Sequence, residues 1–407
     1  MKIDRYFESA FSTSFFAKNI NYELFHIVRS YLIKLYFKLI ESSQIQLVDL
    51  FSYFSPGIFT YPNVIGFDTL DNVLLSENAL LSIIKYKNEK YLISTAVNED
   101  RRFKIYYLII SGDVTTNFRP QELADIILKE AVYHSGYLGK IIRLIKDEYR
   151  NEVLFKILSI PEVSLDEIYL KDKDKQELID FVEAVKNKKE GLRYLLVGDP
   201  GTGKTETVKA IISKCTKVNN KLTVIVVDAG CKISLETVFE YAEIFEPVLV
   251  CIDDIDLLVG SREARLHTSN LSTALQALDG FITRKQTFLI ATTNDRTLVD
   301  NALKRPGRFD LIIEFSHLEP EFYSALVLRE TKDKEFAEIF KDEQIIKKLS
   351  NLKVTGAFMV TLVKYLNRER FKQDKYDKNM VIQAIDKLYQ SFKKDIKTKE
   401  NIGFKEE

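Results

Sequence analysis

Gly198-Asp199-Pro200-Gly201-Thr202-Gly203-Lys204-Thr205 follows directly on the apolar run Leu192 to Val197, and a helical pattern opens at Lys204. The stretch fits G-x-x-x-x-G-K-[ST] in the strand, loop and helix context that gives the motif its meaning. Its glycines let backbone amides curl around phosphate oxygens, and the helix N-terminus adds a favourable field for negative charge. In that arrangement Lys204 reaches the β and γ phosphates and the Thr205 hydroxyl ligates magnesium. The expected phosphate-contacting set is Gly198, Asp199, Pro200, Gly201, Thr202, Gly203, Lys204, Thr205 and Glu206.

Outward from this loop, short apolar runs alternate with helical stretches. Leu192 to Val197, Leu222 to Val227, Val248 to Ile252, Thr287 to Ala291 and Leu311 to Phe315 are the candidate strands. Five strands separated by helices imply a parallel, doubly wound α/β sheet with helices on both faces. The third run ends in Asp253 and Asp254, at the carboxyl end of a strand, where open α/β sheets bind their ligands. Asp253 is expected to hold magnesium, and Asp254 to orient or deprotonate an attacking water.

Beyond Pro320 the strand patterns stop, and helical patterns with Lys and Glu on their outer faces run to about residue 392. The chain before the first strand is different. Tyr22, Phe25, Arg29, Leu32, Leu35, Tyr36 and Leu39 have helical spacing, whereas Tyr91 to Val97 and Phe103 to Ile110 flank a charged turn like the arms of a hairpin. Pro120 opens an amphipathic helix to about Tyr133. The expected organisation is an α+β domain at 1–155, a large α/β subdomain at 156–319, a helical lid at 320–392 and a charged tail at 393–407.

The 407 residues carry 59 Lys plus Arg against 59 Asp plus Glu, so charge gives no hint of a polyanionic partner, and nucleic acid is not expected. Cys215, Cys231 and Cys251 form no C-x-x-C pair and are odd in number, which fits a reducing compartment. The four histidines are scattered, so no structural metal site is expected. A membrane span needs about 18 or more apolar residues in a row. The most apolar stretch, Tyr31 to Ile40, is interrupted by Lys34 and Lys38. With no secretory signal visible, the expected location is cytoplasmic.

Ile290-Ala291-Thr292-Thr293-Asn294, followed by Leu303-Lys304-Arg305-Pro306-Gly307-Arg308-Phe309-Asp310, resembles the polar sensor strand and arginine-finger segment of the AAA ATPases. Asn270-Leu271 to Leu278-Asp279-Gly280-Phe281 resembles the helix before that strand, and the likeness covers roughly Leu165 to Leu366. It implies a P-loop NTPase fold with a small helical lid, Mg2+ and ATP as ligands, and a ring homo-oligomer, in all expectation a hexamer, acting on a protein substrate. Asn294 would polarise the lytic water, and Arg305 and Arg308 would reach the γ phosphate bound to the next subunit. Lys204, Asp254, Asn294, Arg305 and Arg308 are thus the implied catalytic set.

Three departures from the family pattern bear on function. Asp254 stands where Glu is common, and one methylene less shortens the reach by about 1.5 Å. Thr355-Gly356-Ala357-Phe358 is similar to the Gly-Ala-Asp segment of the lid, so Gly356 and Ala357 are implied nucleotide contacts, but Phe358 replaces the acid. The loop Ala229-Gly230-Cys231-Lys232-Ile233-Ser234 has no aromatic grip for a threaded chain, and its shortness is reminiscent of the mitochondrial respiratory-complex assembly ATPases. Two other readings stand beside a remodelling ATPase: a nucleotide-gated scaffold with little hydrolysis, and a DNA-directed AAA+ protein.

Overall fold

The computed structural model describes residues 13–55, 58–60, 66–67, 73–74, 79–100, 103–113, 119–147, 152–187, 190–228, 231, 233–256, 286–296, 308–370 and 377–400. Chain order begins with β1 (Thr13–Ile20), α1 (Tyr22–Tyr36), β2 (Ile45–Ser55) and β3 (Ile58–Thr60). After the short pair β4 (Gly66–Phe67) and β5 (Val73–Leu74) come β6 (Ala79–Tyr86), β7 (Glu89–Asp100), β8 (Phe103–Asp113) and α2 (Pro120–Tyr133). Strands β1, β8, β7, β6, β2 and β3 form one antiparallel sheet in that order. The expected hairpin is β7 with β8, paired from Tyr91↔Gly112 to Asp100↔Phe103. Asn21 caps α1 by accepting from Leu24 N–H at 2.8 Å, and its amide donates to the Val153 carbonyl at 2.8 Å.

The second sheet is built from β9 (Ile141–Asp147), β10 (Glu152–Ile157), β11 (Arg193–Gly198), β12 (Thr223–Asp228), β13 (Val248–Asp253), β14 (Thr287–Thr293) and β15 (Leu311–Phe315). Its order is β10-β9-β12-β13-β14-β11-β15. The five expected strands are present and parallel, but the sheet has seven. The extra two are a hairpin: β9 runs parallel to β12, with Val224 opposite Ile141, and β10 antiparallel to β9. A sequence division at residue 155 therefore falls inside β10. The reason is local ambiguity, because a short half-buried hairpin looks the same whichever sheet it joins.

Among the described residues, α3 (Asp172–Lys186) and α4 (Lys204–Val218) cover one face and α5 (Leu235–Ile244) covers the other. The α5 face is continuous with the first domain: one apolar core runs from Leu32 and Ile127 through Phe155, Tyr241 and Phe245 to Ile225 and Ile252. Phe155 of β10 meets Tyr137, Tyr241 and Phe245 edge-on at 5.7, 5.2 and 5.5 Å. Such pairs contribute about 0.5–1.5 kcal/mol each beyond burial. Phe239 and Tyr241 of α5 are buried in that cluster.

The lid comprises α6 (Tyr323–Thr331), α7 (Lys334–Ile339), α8 (Glu343–Asn351), α9 (Gly356–Arg370) and α10 (Lys378–Glu400) around its own core. Residues 393–400, expected as part of a tail, continue α10. Among the described residues no helix is long and apolar enough to cross a membrane. Cys215 and Cys251 are buried and Cys231 half-buried, all three as free thiols.

One glycine is demanded by the strand order that builds the site. A Cβ at Gly198 would lie 2.3 Å from the Phe315 carbonyl oxygen, because β11 ends pressed against β15. Gly198→Ala is expected to push the two strands apart and destabilise the protein by about 1–3 kcal/mol, the range for overpacking. A urea midpoint indistinguishable from wild type would contradict this.

Candidate nucleotide site

All six residues of β11 are buried, so the strand delivers the loop after it from a fixed base. Gly201 has φ +79° and Gly203 φ +106°, a region that favours glycine. No atom lies within 4 Å of a Cβ built on Gly203, so the loop encloses an open cradle. Lys204, the first residue of α4, has its side chain buried there. Its ammonium donates to the carbonyls of Gly198 at 2.7 Å and Asp199 at 3.1 Å, and to Asn294 Oδ1 at 2.8 Å. Burial pulls its pKa down, and Asp254, Asp253, Asp199 and Asp256 pull the other way without reversing the direction.

The carboxylates come from the end of β13 and the residues after it. Thr205 donates to Asp253 Oδ2 at 3.2 Å, and Thr292 donates to Asp253 Oδ1 at 2.6 Å while accepting from the Asp254 N–H at 2.9 Å. Asn294 closes the circuit: its Nδ2 donates to Asp254 Oδ1 at 2.7 Å while its Oδ1 holds Lys204. Asp254 has φ +52°, a conformation that Asp tolerates better than most residues. Burial, then the charges of Asp253 and Asp256, raise its pKa, and Lys204 and the Asn294 hydrogen bond counter them.

Asp256 was not among the expected site residues, yet it fixes the sensor strand. It accepts from Thr293 Oγ1 at 2.7 Å and from the Asn294 N–H at 3.4 Å. The signal was present in the sequence as a third acid after Val248-Leu249-Val250-Cys251-Ile252, but its partner is 37 residues away.

A cavity of about 950 Å³ runs from this cluster between the large subdomain and the lid. Pro200 to Glu206, Asp254 and Asn294 line one end, and Gly356 and Ala357 line it from α9. The Ala357 N–H donates to the Gly201 carbonyl at 3.1 Å, so lid and loop touch directly. Val163, Ile168, Tyr169, Leu318, Leu326 and Val360 give the cavity an apolar part of its lining, beside the polar Glu167, Glu330 and Lys332. Arg329 closes its rim, donating to the Glu167 carbonyl at 2.9 Å and to Glu330 at 2.7 Å and lying 5.4 Å from the Tyr169 ring centroid. No spacing in the sequence announces this lining, because it is assembled from stretches such as 163–169 and 318–330, which lie about 160 residues apart. Phe358, in place of the lid acid, packs against the lid core.

The residues fit Mg-ATP. Thr205 and Asp253 offer two hard oxygen ligands side by side, and magnesium is commonly bound by one or two protein oxygens plus substrate phosphates and water. Among the described residues no group of three or more His, Cys, Asp or Glu could hold a metal. Arg308 is buried in its own subunit at 6 % exposure. Arg305, the helix expected at 270–281, and Ala229, Gly230 and Lys232 lie outside the described residues.

Residues 194–317 match the model of the ATPase family associated with various cellular activities (AAA). This segment is an AAA ATPase domain. The chain is 34% identical over 152 residues to the ATPase histone chaperone abo1 of Schizosaccharomyces pombe, covering 34% of this chain and 12% of that protein. It is 35% identical over 128 residues to the ATPase histone chaperone YTA7 of Saccharomyces cerevisiae, covering 28% and 9%. Over 183 residues it is 30% identical to the ATP-dependent zinc metalloprotease YME1 homolog of Schistosoma mansoni, covering 41% and 27%. The matches thus span about a tenth to a quarter of the length of these curated relatives. The AAA domain here has the strand order β15-β11-β14-β13-β12, with the hairpin β9–β10 added at its β12 edge.

Proposed function

We propose that this protein hydrolyses Mg-ATP in its AAA domain and uses the cycle to remodel a protein substrate, within a ring whose subunits complete one another's active sites. The observation that carries the reading is the bridge made by Asn294 between Lys204 and Asp254. One amide joins the group that neutralises the γ phosphate to the carboxylate that activates water.

Lys204 and the amides of the loop would hold the phosphates, and Thr205 and Asp253 would hold magnesium, which supplies charge neutralisation on the β and γ oxygens. Asp254 accepts the proton of the attacking water, and Asn294 keeps that carboxylate aimed at the γ position. Asp256 and Thr292 hold the two acids and the sensor strand in register. Because Arg308 is buried in its own subunit, Arg305 is the arginine we assign to the neighbour's γ phosphate. A protein substrate is favoured by the relatives named as histone chaperones and by the zero net charge, which gives no pull toward nucleic acid. The scaffold reading has less support, since Asp254 keeps a 2.7 Å hydrogen bond to Asn294 despite its short reach.

A trans arginine contributes about 10³ to 10⁵ in rate. ATPase activity per subunit is therefore expected to rise with protein concentration. Arg305→Ala should bind ATP but hydrolyse it poorly, and mixing it with inactive Asp254→Asn should recover activity that neither has alone. Concentration-independent activity, with no recovery on mixing, would refute the shared site.

A further inference from the structure

Between the helical turn Leu165–Glu167 and α3 the chain runs extended, with Ile168 at φ −91° and ψ 123°. Extended backbone turns successive side chains to opposite faces. Ile168 and Leu170 accordingly pack into the core of the large subdomain, and Tyr169 between them packs into the core of the lid. Its ring lies 5.5 Å from that of Phe322, just before α6. One residue of the large subdomain is thus seated in the lid.

Arg329, half-buried on α6, makes the return contact. Its Nη1 donates to the Glu167 carbonyl at 2.9 Å, and its guanidinium carbon lies 5.4 Å from the Tyr169 ring centroid. Its Nε and Nη2 donate to Glu330 at 3.0 and 2.7 Å, which fixes the plane of the fork. A planar guanidinium held in this way is not replaced by a lysine, whose ammonium is a point charge without a fork. The lid also meets the large subdomain where the Ala357 N–H donates to the Gly201 carbonyl at 3.1 Å. All four residues, Tyr169, Gly201, Arg329 and Ala357, line the nucleotide cavity, so lid and large subdomain are joined at two places on its wall.

We propose that Arg329 is a positioning residue that latches the lid over the nucleotide. By holding α6 to Glu167 and Tyr169, it keeps the lid docked and its cavity-lining residues Leu326, Gly356, Ala357 and Val360 in place before the nucleotide arrives. This rests on the Mg-ATP reading above. A protein whose binding-competent state is populated only part of the time has its affinity reduced by that fraction. The latch involves none of the phosphate-binding groups, so ATP and ADP gain from it alike. Its loss therefore raises KM and spares kcat, as expected when uniform binding is removed.

The test uses the full chain carrying Arg329→Ala, Arg329→Lys or Tyr169→Ala. Lys171→Ala is the control, since it cuts the exposed Lys171–Glu319 pair, 3.7 Å apart, at the same joint. Arg329→Ala and Tyr169→Ala should each weaken fluorescent ATP and ADP by on the order of 10-fold, with KM raised to match and kcat kept. The two together should cost little more than either, because they break one contact. Arg329→Lys should fall between. Without nucleotide, amide hydrogen exchange should quicken in 165–171 and 355–358 while α7, α8 and β11 keep their protection. Lys171→Ala should match wild type, since exposed ion pairs contribute little. Wild-type affinity in Arg329→Ala overturns the latch, as does a fall in kcat at unchanged KM or failure of both Arg329 variants to fold. Faster exchange throughout the lid would mean general loosening and overturns it too. An equal loss in Lys171→Ala removes the special role of Arg329. Lost affinity in Lys204→Ala beside wild-type affinity in Arg329→Ala defeats the latch alone, whereas wild-type protein without affinity for ATP defeats the Mg-ATP reading and the latch together.

Discussion

Lys204→Ala is expected to lose ATP binding, with affinity falling by about 10²- to 10⁴-fold if two charge-assisted phosphate contacts are removed at about 1.5–3 kcal/mol each. The variant loses more than a charge. In the protein the ammonium ties the Gly198 and Asp199 carbonyls to Asn294 Oδ1, drawing both ends of the cradle toward the sensor strand. Without it the loop keeps its glycine conformation but has no counter-charge at its centre, and the Asn294 Nδ2 is left holding Asp254 with no link back to the loop. A fluorescent ATP titration reads the result directly. Affinity like that of wild type would sink the assignment of this loop as the nucleotide site.

Asp254→Asn should keep ATP affinity while phosphate release slows by roughly 10²- to 10⁴-fold, the usual contribution of a positioned base. The replacement suits the site, since Asn, like Asp, accepts the φ of +52° found there. Thr205 and Asp253 remain in place to ligate magnesium. The pH profile gives an independent check. A base works when deprotonated, and Asp254 has a pKa raised from the ordinary 3.8, first by burial and then by Asp253 and Asp256. The acid limb of kcat/KM, which reports the free protein, should therefore lie above the usual Asp range and activity should fall as pH drops through it. Asn294→Ala removes a hydrogen bond that lowers this pKa, so the limb should move to higher pH. Asp256→Asn removes a like charge, so it should move to lower pH. Unchanged phosphate release in Asp254→Asn would take this carboxylate out of the chemistry.

The site was legible in proportion to how local its parts are. The loop from Gly198 to Thr205 is contiguous, and its chemistry follows from glycine conformations and one helix start, so the cradle, Lys204 and Thr205 stand where the sequence reading puts them. Asp253 and Asp254 were readable because a buried strand must end before two carboxylates. Asn294, by contrast, was reached through resemblance, and only the folded chain shows that its two amide atoms span Lys204 and Asp254.

By itself the sequence determined what depends on neighbours along the chain: five apolar runs of strand length, the phosphate loop, the acidic pair, the hairpin of β7 and β8, and the helical lid. Each rests on periodicity, turn chemistry or a contiguous motif. Tertiary structure decided the rest. The hairpin β9–β10 joins the second sheet because one edge of β12 is available to it, and nothing within the hairpin encodes that choice. The cavity brings Tyr169 against Arg329, and the pairing of β11 with β15 brings Arg193 against Asp310, 117 residues apart. Pairs so distant leave no period or spacing to read, and only the closing of the sheet and the docking of the lid make them neighbours.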